Sequence, residues 1–299
     1  MKCAGAVWSG SLRRSTWDIL GFFLRVRFPI VVASLFIASA SVAADALQPL
    51  ADEPVAQHIS GYGEIYVGGL RIEEGAPDGT TDTGAAAARV NIPFANLWNL
   101  QGDLSYERIW QDSYNFNGRG AALHAYYRDA TFAAGAFAIY KSTAYDGENE
   151  GHQYLIGPEA QVYLGNLTLY GQAWFGRFEN DFAHEKQWGG RAVARYFIQK
   201  NLRVDGEFSF EATDIGVPYD VLAASVEAMY CFEDTPWSIF GRYQFEHYKI
   251  DSFDAGNGSK FVVGLHASFG SNSLFDEDRA GATMDTHQAN SILSFTAVQ

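Results

Sequence analysis

Residues 202–211 read LRVDGEFSFE, and this short stretch decides the fold. The apolar Leu202 and Val204 alternate with the charged Arg203 and Asp205, and the alternation continues to the end of the stretch. A period of two puts one set of side chains on each face of a β-strand. The sequence therefore predicts a strand with one apolar face and one densely charged face.

The same alternation recurs downstream of residue 56, where helical periodicity is weak. No later stretch has the roughly 18 consecutive apolar residues of a membrane helix. We predict twelve strands, each long enough to cross a bilayer at a tilt. They are 57–72, 84–94, 98–110, 119–128, 131–142, 152–164, 167–177, 187–199, 201–213, 219–232, 236–249 and 259–270.

The connections between these strands carry a second signal. Short turns are predicted near 96, 128–129, 165–166, 200–201 and 233–235, and longer polar segments at 73–83, 111–118, 143–151, 178–186, 214–218 and 250–258. Strict alternation of short and long connections is typical of a barrel with tight turns at one rim and loops at the other. The predicted fold is all-β, a closed antiparallel barrel of about 12 strands over residues 57–270.

The composition excludes some classes of function. The chain has 35 acidic and 21 basic residues, and its formal net charge is -14. This balance argues against a general nucleic-acid binder, because no basic stripe is present to displace phosphate counterions. The two cysteines, Cys3 and Cys231, supply neither a disulfide framework nor the spacing of a cysteine-based zinc site.

Residues 1–44 are predicted to be a cleaved signal peptide. Arg25 and Arg27 precede an apolar run at 30–38, and small residues at 41–44 offer a signal-peptidase site. The apolar run is too short to span a membrane as a stable helix, although an uncleaved anchor is the alternative. Residues 45–56 would form a short periplasmic segment before the barrel.

The charged strand face decides between a soluble and a membrane barrel. In a soluble barrel the apolar face would point inward, and twelve strands would enclose a wide apolar cavity. In a transmembrane barrel lipid covers the apolar face, and closure pairs every backbone N–H and C=O group. The export signal favours the transmembrane arrangement.

These features resemble the outer-membrane β-barrels of Gram-negative bacteria, which combine an even strand count with aromatic residues near the strand ends. One predicted aromatic row lies near the short turns: Trp98, Tyr127, Phe132, Phe197, Phe232, Trp237 and Phe269. The second row lies near the loops: Trp110, Tyr140, Phe178, Trp188, Tyr219 and Tyr248. The resemblance implies a porin-like protein of the cell outer membrane.

In that class the last strand commonly carries an assembly signal, a glycine followed five residues later by a terminal aromatic residue. Gly264 and Phe269 match this signal, which implies folding by the barrel-assembly machinery. Val262 stands where the signal has a polar residue, and the chain continues to residue 299. Because residues 271–299 lack periodicity, we expect a solvated periplasmic tail rather than a plug folded into the lumen.

The charged face is expected to point into the lumen and to line a pore. The predicted pore-lining residues are Glu64, Arg89, Asp103, Glu107, Glu159, Arg191, Arg195, Arg203, Asp205, Glu207, Glu211, Glu227, Arg242 and Glu246. Such groups pair between strands or face water, because unpaired buried charge is costly. Twelve strands permit a narrow pore without requiring one.

Carboxylates also crowd the predicted outer loops, for example at Glu73, Glu74 and Asp251. A ring of carboxylates at a pore mouth concentrates cations and repels anions, so weak cation selectivity is one expectation. A solvated acidic surface without a transport role is the alternative, and divalent-ion bridging to lipopolysaccharide is another. Residues 146–150 lack the spacing of an EF-hand, so no calcium site is predicted.

One short motif could carry chemistry, His266-Ala267-Ser268. It resembles the His-x-Ser pair of the outer-membrane phospholipase A and lipid A deacylase families, in which His activates Ser for acyl transfer. Here alternation turns the pair toward the lumen instead of the lipid, and Phe269 follows where those families have Asn. We therefore predict no enzyme activity. The other histidines lack ligand spacing, so no metal or cofactor is predicted.

The sequence thus predicts an outer-membrane porin-like channel for passive diffusion of small hydrophilic solutes. A non-conducting structural or surface-interaction barrel is the first alternative, and a lipid-modifying hydrolase is the second. The expected partners are outer-membrane lipid, lipopolysaccharide, small solutes and the barrel-assembly machinery, but not nucleic acid. A homo-oligomer stays open, because small-residue runs such as 85–88 and 133–136 would suit an interface.

Overall fold

The structure is a computed structural model that describes residues 58–73, 79–95, 97–111, 114–145, 148–180, 184–214, 218–251 and 253–287. The predicted signal peptide and the short segment after it lie outside the described residues, as do residues 288–299.

Twelve antiparallel strands close into one barrel. They are β1 (Ser60–Glu73), β2 (Gly79–Ala95), β3 (Trp98–Gln111), β4 (Tyr114–Arg128), β5 (Phe132–Tyr145), β6 (Glu148–Leu164), β7 (Leu167–Glu179), β8 (His184–Gln199), β9 (Leu202–Asp214), β10 (Pro218–Cys231), β11 (Trp237–Ile250) and β12 (Phe253–Phe269). Each strand pairs with its neighbours in sequence, and β12 returns to pair with β1 from Gly61↔Phe269 to Glu73↔Asn257. The predicted closed antiparallel barrel is confirmed, and its closure leaves no free strand edge.

Successive side chains along each strand alternate between the inner and the outer face of the barrel, and the outer face is apolar. Leu104 and Phe175 are each 64% exposed, and Val67 is 62% exposed. A water-soluble domain would bury large apolar residues of this kind, whereas lipid covers them on the outside of a membrane barrel. The strands are long enough to cross the hydrocarbon core at a tilt. The barrel therefore belongs in the outer membrane, as the sequence predicts.

The connections are shorter than predicted on the loop side. β5 ends at Tyr145 and β6 begins at Glu148, while β11 ends at Ile250 and β12 begins at Phe253. Backbone pairing continues into the polar residues of the predicted loops, as far as Tyr145↔Glu148 and Ile250↔Phe253. The predicted strict alternation of connection lengths is therefore wrong, because polar side chains do not end a strand whose backbone still has a partner.

Most of the predicted girdle aromatics lie outward near the strand ends, as Trp98 and Trp188 do. Four point into the barrel instead: Phe197, Tyr219 and Tyr248 are at most 3% exposed, and Phe178 pairs with the buried, inward-facing Gln153. Their positions along the strands fit the two predicted rows, but their parity places them on the inner face.

The chain beyond β12 folds back into the barrel, and we call residues 271–287 the C-terminal segment. Gly270 has a φ of +73°, and the side chain of Ser273 then caps a short helix, α1 (Leu274–Ala280), by accepting a hydrogen bond from the backbone N–H of Asp276. The Phe275 N–H donates to the Lys200 carbonyl in the β8–β9 turn, at 3.0 Å. No helix among the described residues is long and apolar enough to cross a membrane.

The expectation of a solvated tail is wrong for residues 271–287. Leu274, Phe275 and Met284 are at most 1% exposed. These side chains pack against inward-facing apolar residues of the wall, so burial stabilises the segment inside the barrel. The segment starts at the short-turn rim and ends at His287, whose Nε2 lies 3.3 Å from Glu211 Oε2 towards the far end of β9.

Candidate functional site

The predicted pore-lining residues all lie on inward-facing positions of the wall. They are Glu64 on β1, Arg89 on β2, Asp103 and Glu107 on β3, Glu159 on β6, Arg191 and Arg195 on β8, Arg203, Asp205, Glu207 and Glu211 on β9, Glu227 on β10, and Arg242 and Glu246 on β11. Alternation along each strand places them there, and it brings opposite charges side by side on neighbouring strands.

Ion pairs join the wall residues across strands. Arg89 Nη2 lies 2.7 Å from Asp103 Oδ2, between β2 and β3. Arg242 Nη2 lies 2.6 Å from Glu227 Oε2, between β11 and β10. Because these four charges are paired, the wall offsets part of the cost of removing them from water.

Three wall arginines surround the carboxylate of Asp285, and we call them the arginine cradle. Arg89 Nη1 lies 3.1 Å from Asp285 Oδ1, Arg191 Nη2 lies 3.3 Å from Oδ2, and Arg195 Nη2 also contacts Oδ2. Burial alone would raise the pKa of Asp285, but Arg195, Arg89 and Arg191 outweigh burial and hold that pKa well below its usual range. The carboxylate is therefore ionised in the cradle.

Arg195 also holds a second carboxylate of the C-terminal segment. Its Nη1 lies 2.7 Å from Asp278 Oδ1, and Thr168 Oγ1 donates to Asp278 Oδ2 at 2.5 Å. Asp278 is 2% exposed. Among the described residues, Arg195 forms two ion pairs. Both partners belong to the C-terminal segment, and neither belongs to the wall.

Hydrogen bonds to backbone atoms fasten the segment further. Arg128 donates from Nη1 to the Gly281 carbonyl at 2.5 Å and from Nη2 to the Ala280 carbonyl at 2.7 Å. Gln161 Nε2 donates to the Thr283 carbonyl at 3.1 Å and lies 3.0 Å from Thr283 Oγ1. The two Arg128 donors satisfy carbonyls at the end of α1, where helical partners run out.

Apolar contacts anchor the segment near its start and its middle. The ring of Phe275 meets Phe197 edge-on, with the ring centroids 5.2 Å apart. Met284 packs with Tyr126 and Val193 in a second buried cluster. The inward turn of Phe197, which departs from the predicted girdle, thus provides a contact for the segment.

A separate apolar cluster narrows the barrel at the other end. This loop-end cluster consists of Leu70, Ile72, Ile109, Phe116, Tyr219, Val221 and Tyr248, each at most 3% exposed. Its members project inward from β1, β3, β4, β10 and β11. Two of the residues predicted for the outer girdle, Tyr219 and Tyr248, are therefore part of a constriction of the bore.

A polar cavity of about 140 Å³ lies beside the segment. Its lining includes Tyr62, Glu64, Ser225 and Glu227 from the wall and Asp285 from the segment. The volume is enough for several water molecules. The side chain of Asp285 is 30% exposed, so the carboxylate in the cradle borders this space.

The His266-x-Ser268 motif does not form a nucleophile–base pair in this structure. His266 Nε2 lies 3.1 Å from Glu277 Oε2, and Nδ1 lies 3.5 Å from Glu64 Oε2. Both ring nitrogens therefore face carboxylates, and no hydrogen bond joins the ring to Ser268 within the described residues. The arrangement ties α1 to β12, and it does not activate a serine for acyl transfer.

Sequence reasoning missed the residues that the C-terminal segment contributes: Glu277, Asp278, Thr283, Asp285, Thr286 and His287. One signal was available, because Ser273 followed by Asp276 has the spacing of a helix N-terminal capping motif. That spacing predicts a short helix, but it carries no information on where the helix packs.

No family model and no curated protein matches the chain. Among solved structures, the translocator domain of autotransporter NalP from Neisseria meningitidis is 14% identical with a TM-score of 0.46, over 81% of this chain and 97% of that one. A loop L8 deletion mutant of OmpT from Vibrio cholerae is 9% identical with a TM-score of 0.43, over 71% and 99%. The anion-selective porin from Comamonas acidovorans is 9% identical with a TM-score of 0.42, also over 71% and 99%.

The closed barrel, its lipid-facing outer surface and its charged interior define an outer-membrane β-barrel protein. Its architecture is porin-like, with twelve strands and an interior in which the C-terminal segment lies against the wall.

Proposed function

We propose that the protein is a gated outer-membrane conduit for small hydrophilic solutes and that the C-terminal segment is its plug. The observation that carries this proposal is that the segment is not part of the wall. The β1–β12 ladder closes the barrel at Gly61↔Phe269, before the segment begins at residue 271. The segment can therefore leave the lumen without opening a strand pair.

The polar contacts of the segment with the wall are of a kind that water can replace. Arg128, Gln161 and Arg195 hold it through hydrogen bonds and ion pairs, which contribute modest net free energy each because solvent competes for the same groups. Between the short-turn rim and the loop-end cluster the inner wall carries charged residues of both signs, so a withdrawn segment would leave a polar surface there that water can wet.

A non-conducting structural barrel is the second candidate, and one observation favours it. The loop-end cluster places seven large apolar side chains in the bore, with Tyr219 and Tyr248 stacked at a centroid distance of 6.5 Å. A barrel built only for stability would be filled by side chains in this way.

We also propose that charged residues at two depths set the ion selectivity of the conduit. Carboxylates such as Glu73 and Asp251 support the predicted weak cation preference at the mouth. The arginine cradle has the opposite sign and lies deeper in the bore. The reversal potential under a salt gradient decides which of the two sets of charges governs permeation.

A cysteine lock tests the conduit. We would replace Thr168 and Asp278, two short side chains whose oxygens lie 2.5 Å apart, with cysteines in a Cys231→Ala background and refold the chain from residue 45. In a planar bilayer, the oxidised protein is expected to be silent, and reduction is expected to restore single-channel openings. A channel that is silent in both states, with correct insertion, would favour the structural barrel.

A matched control places a disulfide in the wall without touching the segment. Val226 and Tyr243 are directly paired on β10 and β11 and both face outward, so cysteines there lock two strands together. Oxidation of this pair is expected to leave conductance unchanged.

A further inference from the structure

We propose that the arginine cradle is the solute site of the conduit, that it takes small dicarboxylic acids, and that Asp285 occupies it as a built-in competitor. The inference rests on the proposed function, because the site becomes free only when the C-terminal segment withdraws.

The first argument is the chemistry of the occupied site. A guanidinium fork matches the geometry of a carboxylate, and three such groups converge on Asp285 from β2 and β8. The carboxylate borders the polar cavity, so a solute there could reach the same arginines. Asp285 is therefore placed as a free carboxylate would be.

The second argument is the state of Arg195 after withdrawal. Its side chain is 3% exposed, and both of its ion pairs in the described part of the chain are with the segment. A buried cation that loses its partners is unfavourable until water or an anion replaces them. An anion that binds only the withdrawn state therefore shifts the population toward that state.

The third argument concerns the number of carboxylates. Arg195 contacts Asp278 through Nη1 and Asp285 through Nη2, so one molecule carrying two carboxylates can replace both. Arg191 Nε is buried without a hydrogen-bond partner among the described residues, which leaves one donor in the cradle for a ligand. Asp103 and Glu207 contact cradle arginines and disfavour ligands of higher negative charge.

Hydrogen–deuterium exchange on the wild-type chain is the direct test, with succinate as the probe. The Met284 N–H donates to Gln101 Oε1 at 3.2 Å and the Gly281 N–H donates to the Glu277 carbonyl at 3.0 Å, so both are protected while the segment is docked. Succinate is expected to speed exchange in the segment several-fold over sodium chloride of equal ionic strength. Succinamide, which lacks the charges, is expected to have no effect.

Calorimetry of succinate binding to variants gives the second measurement. Asp285→Asn removes the competitor, so succinate is expected to bind about tenfold more tightly than to the wild type. Asp234→Asn is the charge-matched control. Asp234 lies in the exposed β10–β11 turn at a φ of 57°, which asparagine tolerates. The Asp234→Asn variant is expected to bind succinate as tightly as the wild type does.

Two outcomes of the exchange experiment would overturn the inference. If succinate speeds amide exchange in the wild-type segment no more than sodium chloride does, the arginine cradle is not a succinate site. Inorganic phosphate that acts as strongly as succinate would remove the dicarboxylate class. A channel that opens on reduction of the cysteine lock but ignores succinate refutes this inference alone, whereas a silent channel that binds succinate refutes the conduit alone.

Discussion

The indole ring of Trp174 on β7 stacks on the imidazole of His287, with the ring centroids 4.2 Å apart and the planes 24° apart. This contact lies at the last described residue of the C-terminal segment, far from α1, where the segment enters the barrel. It therefore reports on docking of the end of the segment.

His287→Ala is expected to weaken docking by about 1 kcal/mol, the value of an aromatic contact beyond its buried area. Exchange of the 284–287 backbone amides and the emission of Trp174 would both register the loss. His184→Ala is the control, because the side chain of His184 is 80% exposed on β8. Equal effects of the two substitutions would contradict the assigned role of the stack.

Phe275→Ala is expected to raise the withdrawn population. Phe275 is fully buried against Phe197, and its truncation costs about 3 kcal/mol in a site that cannot collapse. That free energy corresponds to roughly a hundredfold change in the docking equilibrium, measurable as open probability in single-channel records. Phe208→Ala removes an equal side chain from the lipid-facing surface, and we expect no change in open probability.

Arg195→Gln is expected to lower the free energy of unfolding in lipid vesicles by about 3 kcal/mol, because Asp278 loses its buried cation. Arg71→Gln removes a charge of the same sign from a solvent-exposed ion pair with Glu73. It is expected to lower the free energy of unfolding by less than about 0.5 kcal/mol. Urea titrations of both variants give the comparison. A small effect at Arg195 would mean that the segment contributes little to stability.

Asp285 and His287 both make docking depend on pH. The arginine cradle holds the pKa of Asp285 below its usual range, so the contribution of Asp285 is complete above its unfolded pKa of about 4 and declines only as the pH falls below that value. Burial lowers the pKa of His287, so the contribution of its neutral imidazole is complete above its unfolded pKa of about 6.5 and declines below that value. Protection of the segment, corrected for intrinsic exchange rates, is therefore expected to fall below about pH 6.5 in the wild type and to stay constant from about pH 6 to pH 5 in His287→Ala. A loss of protection above pH 5 in His287→Ala would contradict an Asp285 carboxylate that the cradle holds ionised.

The depth of lipid contact can be tested on β3. Leu104→Arg places a charge in the middle of the outward face and is expected to lower the free energy of unfolding in vesicles by about 3 kcal/mol. Leu100→Arg lies near the short-turn rim, and we expect a cost of about 1 kcal/mol or less. Similar costs at the two positions would argue against a lipid-covered band centred near Leu104.

The strand count and the inner face of the wall were predictable because period two is a local property. On β9, the parity of Arg203 and Asp205 alone indicates the inner face. The same rule puts Phe197 on the same inner face as Arg195, and Tyr248 on the same inner face as Glu246. The inward orientation of these two aromatic side chains could therefore have been inferred from parity. Their aromatic character near a strand end suggested a girdle and masked that signal.

The path of the C-terminal segment was not predictable in the same way. Asp278 meets Thr168 across 110 residues of sequence, and Asp285 meets Arg195 across 90. No period or spacing in residues 271–287 points to those partners, because long-range contacts depend on the three-dimensional arrangement of the closed wall. The lack of periodicity suggested a solvated tail, whereas the barrel interior supplies opposite charges and hydrogen-bond partners for the polar residues of the segment.

The covalent continuity of β12 with the C-terminal segment has a quantitative consequence. A competitor attached to the barrel by a few residues has an effective local concentration in the millimolar range, whatever the dilution of the protein. A free diacid must therefore approach such concentrations to compete with Asp285 for the arginines. The tether would make the channel respond to an abundant nutrient and ignore a trace one, and its threshold would change with the length of chain between Phe269 and α1.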